Sequence, residues 1–305
     1  THVDSSAASD VYKRQNLDVL SKKTWETNKK KAKKGIQKLA AELLKLYAQR
    51  EMARGPSIPI DRSAYQNFAA KFPFDETADQ AKAIEEVLGD LEGPKPMDRL
   101  VCGDVGYGKT EVAIRAAFSA MNAGYQVALI APTTLLVAQH FKNFKNRFAG
   151  TPFEVVSFSR LNSTVEIKEN AEKIKTKKAQ LAVGTHKLLS SQFEFSKLGL
   201  LIIDEEQRFG VAHKEKLKKL RHEVHVLTLT ATPIPRTLNL AMSGLKELSI
   251  ISTPPKSRLS VKTYLSPHDN EIIREAVLNE CKRGGQVFFL HNRIASIQER
   301  FAELK

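Results

Sequence analysis

Apolar residues recur along this chain at two periods. Over residues 21–54, Ala32, Ile36, Leu39, Ala40, Leu43, Leu44 and Tyr47 return at steps of three and four. That spacing lines them along one face of a long helix. Gly55-Pro56 is its stop signal, and a short helix is expected over 61–71. Further on, the pattern changes to brief apolar runs at 99–102, 126–130, 154–158, 180–183, 198–203 and 225–229. Each has the length of a buried strand. Helical stretches lie between them at 111–118, 133–147 and 165–175. Such alternation predicts an α/β fold, a parallel sheet with helices on both faces. Ligands in these sheets sit at the carboxyl ends of the strands.

Pro254-Pro255-Lys256-Ser257 reads as a linker, taken as 254–258. After it come an expected strand at 259–265, a helix at 270–282, a strand at 285–290 and a helix at 295–304. These mark the truncated start of a second α/β unit, 259–305, too small to close its own core. The first unit is expected over 61–253, the basic helix over 16–60, and a disordered or artefactual N-terminus over 1–15. Those first residues lack periodicity and resemble translated adapter sequence, so they are set apart from the fold.

Charge changes the picture. The 305 residues carry a net charge of +14. Residues 1–60 hold 13 Lys and Arg against 6 Asp and Glu, half of that surplus. A polyanion, most simply nucleic acid, is the partner such a balance suits, with an acidic membrane surface the competing reading; a solvated basic face is the plainer reading of the lysines at 29–38. No apolar run approaches the length of a membrane span. Two distant cysteines, Cys102 and Cys281, form no disulfide framework, which points to a reducing cytoplasm.

Chemistry concentrates at strand ends. Gly103-Asp104-Val105-Gly106-Tyr107-Gly108-Lys109-Thr110 matches G-x-x-x-x-G-K-[ST] between a strand and a helix. Glycines let backbone amides curl round phosphate oxygens, and the helix N-terminus adds positive potential. Lys109 is placed to reach the β- and γ-phosphates and Thr110 to ligate Mg²⁺. The apolar run ending in Asp204-Glu205-Glu206-Gln207 delivers acids to a strand tip. Asp204 is placed to hold Mg²⁺ and Glu205 to polarise an attacking water. Thr77-x-x-Gln80 is a capping box. With Phe74, or alternatively Phe72, Gln80 also reads as an adenine pocket. Thr133, Thr134, Thr185, His186 and Lys187 sit at strand ends where hydroxyls and amides suit nucleic-acid phosphates; each alone reads as an ordinary cap or loop residue. Thr230 and Thr232 end the strand at 225–229 and are placed to sense a γ-phosphate.

In order, aromatic-T-x-x-Q, G-x-x-x-x-G-K-T, P-T-T, G-T-H, D-E-E-Q and T-A-T resemble the motif series of superfamily-two helicases and translocases. Asp204-Glu205-Glu206-Gln207-Arg208-Phe209-Gly210-Val211 and Thr230-Ala231-Thr232-Pro233-Ile234-Pro235-Arg236 narrow the resemblance to the bacterial transcription-repair coupling factor family and its relative RecG. Tyr107, Glu111, Glu206 and Asn239-Leu240-Ala241-Met242-Ser243-Gly244 are more similar to the former, over residues 16–305. Many coupling factors have His where Gln207 stands.

This resemblance implies a RecA-like fold and an ATP hydrolase. Phe74 and Gln80 would hold adenine, and residues Gly103 through Thr110 the phosphates. Thr110 and Asp204 would hold Mg²⁺, Lys109 and Glu205 would act in catalysis, and Gln207, Thr230 and Thr232 would couple nucleotide state to DNA grip. It implies a cytoplasmic motor on double-stranded DNA that displaces stalled RNA polymerase and recruits excision-repair proteins. Its arginine finger would belong to the second domain. A RecG-like fork-remodelling helicase is the alternative, and a weakly hydrolysing nucleotide- and DNA-binding fragment another.

Overall fold

A computed structural model describes residues 29–30, 55–190, 193–206, 224–232, 246–256, 258 and 262–303. Residues 1–15, Gln207 and nearly all of the expected basic helix lie outside that set; Lys29 and Lys30 are helical, and residues 55–60 are not, as Gly55-Pro56 requires. The chain divides into two compact units, Thr1–Arg258 and Leu259–Lys305.

The first unit opens with α1 (Arg62–Ala69), whose first amides donate to the Asp61 carboxylate. Next comes α2 (Ala78–Glu92), begun by the capping box of Thr77 and Gln80 that the spacing predicts. Strands and helices then alternate: β1 (Asp98–Gly103), α3 (Lys109–Asn122), β2 (Gln126–Ile130), α4 (Thr134–Arg147), β3 (Val155–Phe158), α5 (Thr164–Lys175), β4 (Leu181–Gly184), β5 (Leu198–Asp204), β6 (His225–Thr230) and β7 (Glu247–Ile251). All pairings are parallel, in the order β3-β4-β2-β5-β6-β1-β7. This is a RecA-like sheet, the predicted fold class.

Side-chain alternation explains why the central runs are apolar throughout. Val127, Leu129, Leu200, Ile202, Leu227 and Leu229 pack on the face shared with α2, α3 and α4. Their neighbours Ala128, Ile130, Leu201, Ile203 and Val226 point the other way into a separate cluster. Farther along that second face, Ile174 of α5 packs with Val156, Phe158 and Ala182. Helices therefore cover both faces among the described residues.

One strand is absent from the sequence expectation. β7 is an edge strand whose residues alternate between exposed and buried, so its run is too short and too mixed to stand out.

In the second unit, Asp269 caps α6 (Asn270–Lys282), and α7 (Ile297–Glu303) follows a short 3-10 turn. Both helices match the sequence reading. The strands do not. Residues 285–290 and 262–265 carry no ladder, and Phe288 and Leu290 stand exposed. A strand needs bonds from a neighbour, and the described residues of this unit supply none.

A clasp ties the exit of β7 to the start of α2. The Asp79 Oδ2 atom accepts from Ser252 N and Oγ and from Thr253 N and Oγ1, at 2.7–2.9 Å. Those four donors, Ser252 foremost, hold the carboxyl down at about 2. A lowered folded-state value means stability present above the unfolded value of 3.8 and lost as pH falls toward 2. Asp79→Ala is accordingly expected to unfold at lower urea than the parent at pH 7, with the gap closing between about pH 4 and pH 2. Urea midpoints across that range check it; a gap independent of pH would contradict it.

Candidate functional site

Parallel strands bring their carboxyl ends to one edge. Register places Asp204 beside Leu229, which lies beside Val101, two residues before Gly103. The glycine loop and the acidic strand tip therefore meet across β6.

The loop is crowded where it turns into α3. Gly108 has φ +82°, a left-handed conformation. A Cβ there would sit 2.3 Å from the Gln80 Nε2 atom, so glycine is required twice over. Gln80 is only 5% exposed. Its Oε1 accepts from Thr77 N, and its Nε2 donates to Tyr107 O at 2.9 Å. The residue expected to read adenine thus also braces the phosphate loop. Gly103 is crowded in its turn by the backbone oxygen of Ile251, its partner on β7.

Lys109 Nζ donates to Gly103 O at 2.6 Å and Asp104 O at 3.0 Å, lying against the loop's own carbonyls. Burial pushes its pKa below the usual lysine value, against the opposing pull of Glu205, Asp204, Cys102 and Asp104. Those carboxylates therefore share its electrostatic surroundings. Asp104 is held below the usual carboxylate range by the Val105 N–H and by Arg258, which bonds it at 3.0 Å and also covers the Tyr107 ring.

The acidic tip is held in two ways. Glu205 has φ +52°, unusual for a residue with a Cβ. Its carboxylate accepts from Thr230 Oγ1 and Ala231 N, both at 3.0 Å, and Thr230 Oγ1 accepts in turn from Thr232 N. Glu205, Thr230 and Thr232 thus form one chain of hydrogen bonds. The Asp204 Oδ2 atom meets His140 Nε2 of α4 at 2.8 Å.

Beside the loop opens a cavity of about 580 Å³, lined among others by Phe72, Phe74, Gln80, Gly106, Gly108 and Thr110. Phe74 is exposed, with its ring available for stacking. Phe72 meets it edge-on and is backed by the guanidinium groups of Arg115 and Arg147, 5.6 and 5.9 Å from its centroid. Behind them, Glu111 accepts from both arginines at 3.0 Å, and Arg115 also bonds Glu76 and Tyr65. Burial alone would lower the Arg115 pKa, but these bonds outweigh it and hold the cation charged.

Thr133 and Thr134 stand at the end of β2, with Thr133 capping α4 through a bond from Leu136 N. Thr185, His186 and Lys187 follow β4 on the same edge, and Lys187 is exposed. These five gather on the loop's edge of the sheet, apart from the residues lining the cavity. His140, Asp79, Arg258, Arg115 and Arg147 have no role in the sequence reading. The one signal that could have marked His140 is its place as a polar residue in step with buried Val137 and Phe144 on one helix face.

Residues 77–241 match the DEAD/DEAH box helicase family. The chain is 53% identical to a transcription-repair-coupling factor of Haemophilus influenzae over 94% of its length. It is 50% identical to that of Escherichia coli over 99% and 47% identical to that of Bacillus subtilis over 96%. It spans about a quarter of the length of these relatives. A solved structure of RecG bound to a three-way DNA junction superposes with a TM-score of 0.71 at 32% identity, covering 87% of this chain and 37% of RecG. The helicase MrfA shares the fold at 12% identity and a TM-score of 0.58, covering 80% of this chain and 40% of its own.

Gly108→Ala is expected to cost about 1–3 kcal/mol of stability through its left-handed backbone. It should also weaken nucleotide binding by displacing Gln80 from Tyr107 O. Urea unfolding and calorimetric titration with ADP check both; parental values in both would show that the turn is not held as described.

Proposed function

The chain belongs to the DEAD/DEAH box helicase family, and from that premise we propose that it is the first motor domain, with the start of the second, of an ATP-driven double-stranded DNA translocase of the transcription-repair coupling type. One observation carries this reading. Lys109, Asp204, Glu205 and Thr230 assemble at one strand edge, in a chain about half identical to coupling factors nearly throughout. In the complete protein, such a motor would act in the cytoplasm to push stalled RNA polymerase off DNA and recruit excision-repair proteins.

The residues fit ATP and Mg²⁺. A Cβ at Gly108 would collide with Gln80, which borders the cavity; the loop leads directly into a helix N-terminus, whose positive potential favours phosphate; and a ring and amide line the space proposed for the base. Thr110 and Asp204 offer one hydroxyl and one carboxylate, the hard-oxygen set that Mg²⁺ takes when phosphates complete its shell. When bound, the ion neutralises charge building on the β- and γ-oxygens. Lys109 exchanges its carbonyl partners for phosphate oxygens. Glu205 orients the attacking water and accepts its proton. Thr230 and Thr232, joined to that carboxylate, transmit its rearrangement to the next segment, and Thr133, Thr134, Thr185, His186 and Lys187 hold the DNA backbone. Residues 254–258 serve as the linker between motor domains.

RecG-like fork remodelling is the second reading, favoured by the likeness to the junction-bound RecG structure. Binding without efficient hydrolysis is a third, since the finger arginine is assigned to the second domain. ATP turnover of the 305-residue chain, with and without duplex DNA, separates these; robust turnover would exclude the binding-only reading.

In the complete protein, Lys109→Ala and Glu205→Gln are each expected to lower DNA-stimulated turnover by about 100-fold or more. Unchanged turnover in either variant would defeat the proposal.

A further inference from the structure

We propose that His140 is a positioning residue, whose Nε2–H fixes the Asp204 carboxylate for Mg²⁺; this rests on the nucleotide-site reading above. His140 is 6% exposed, and its Nε2 lies 2.8 Å from Asp204 Oδ2. The Asp204 side chain is likewise largely buried. A carboxylate only accepts, so the shared proton sits on Nε2. That bond engages Oδ2 and restricts the side-chain rotation of Asp204, leaving Oδ1 for a metal ion.

His140 is a poor choice for packing alone. It lies on the buried face of α4 with Val137 and Phe144 and meets the Phe144 ring edge-on. Its Nδ1 is buried and makes no hydrogen bond among the described residues. A desolvated, unpartnered ring nitrogen destabilises the fold, and an apolar ring of the same shape would avoid it. What such a ring lacks is the donor aimed at Asp204.

The helix adds a second consequence. Thr133 caps α4 seven residues before His140, about 10 Å along the helix axis. A single rigid element therefore joins the strand end proposed to hold DNA phosphates to the carboxylate proposed to hold metal. Partners that orient a metal-binding carboxylate typically matter 10- to 100-fold in affinity.

The test uses His140→Phe, which keeps the ring and removes the donor, with a fluorescent mant-ADP probe. The variant is expected to unfold at the parental temperature and to bind mant-ADP normally in EDTA. Its half-saturating Mg²⁺ for tight mant-ADP binding should rise about tenfold or more. His140→Gln, which restores an N–H donor, should recover part of that shift. In an Asp204→Asn background, His140→Phe should add nothing. A folded His140→Phe protein with the parental Mg²⁺ midpoint overturns the inference while leaving the nucleotide site intact. If His140→Phe does not fold, His140→Gln decides: a midpoint raised only while Asp204 is present supports the proposal, and a parental midpoint, or one raised equally with or without Asp204, overturns it. A parent chain that binds no mant-ADP at any Mg²⁺ concentration overturns the underlying site reading.

Discussion

Every strand of the first unit runs in the same direction, and that constraint organises the rest. Parallel neighbours cannot be joined by tight turns, so each connection must cross over the sheet, most often as a helix. Each crossover returns the chain to the start of the next strand and leaves all strand ends on one edge. Glycine loop, acidic tip and threonine strand thus arrive together, although 95 residues separate Lys109 from Asp204 and a further 26 separate Asp204 from Thr230. Apolar packing on both faces makes the edge rigid; Leu129, Leu200 and Ile202 are fully buried, and truncating any one of them would cost about 2–5 kcal/mol.

Charge is arranged in a second layer behind the cavity that Phe72 and Phe74 line. Arg115 and Arg147 are nearly buried, yet both are paired through Glu111. Removing one partner from such a group leaves an uncompensated buried charge, which is far more harmful than the pair is helpful. Its role here is geometric. The two guanidinium groups lie against the Phe72 ring, which in turn meets Phe74 edge-on.

Features governed by local spacing were legible in the sequence. Six of the seven strands, the phosphate loop and the acids at Asp204 and Glu205 follow from short runs and fixed intervals. Features created by tertiary approach were not. Gln80 reaches Tyr107 across 27 residues, and Asp79 reaches Ser252 across 173. β7 alternates at an edge and gives little signal, whereas the apolar runs near 262 and 287 read as strands but have no partner strand to bond among the described residues. His140 was hidden because a polar residue on an apolar helix face has no partner until the sheet supplies one.

Glu205 keeps a left-handed backbone at the position where a carboxylate meets Thr230. For a side chain of this kind the conformation costs roughly 1–3 kcal/mol, and glycine or asparagine would relieve it. Selection for folding alone would weigh that relief against the two hydrogen bonds the carboxylate accepts from Thr230 and Ala231. Glycine relaxes the backbone and loses both bonds, whereas asparagine relaxes it and keeps an acceptor oxygen, so a screen that rewarded heat resistance alone would favour asparagine over glycine at this position.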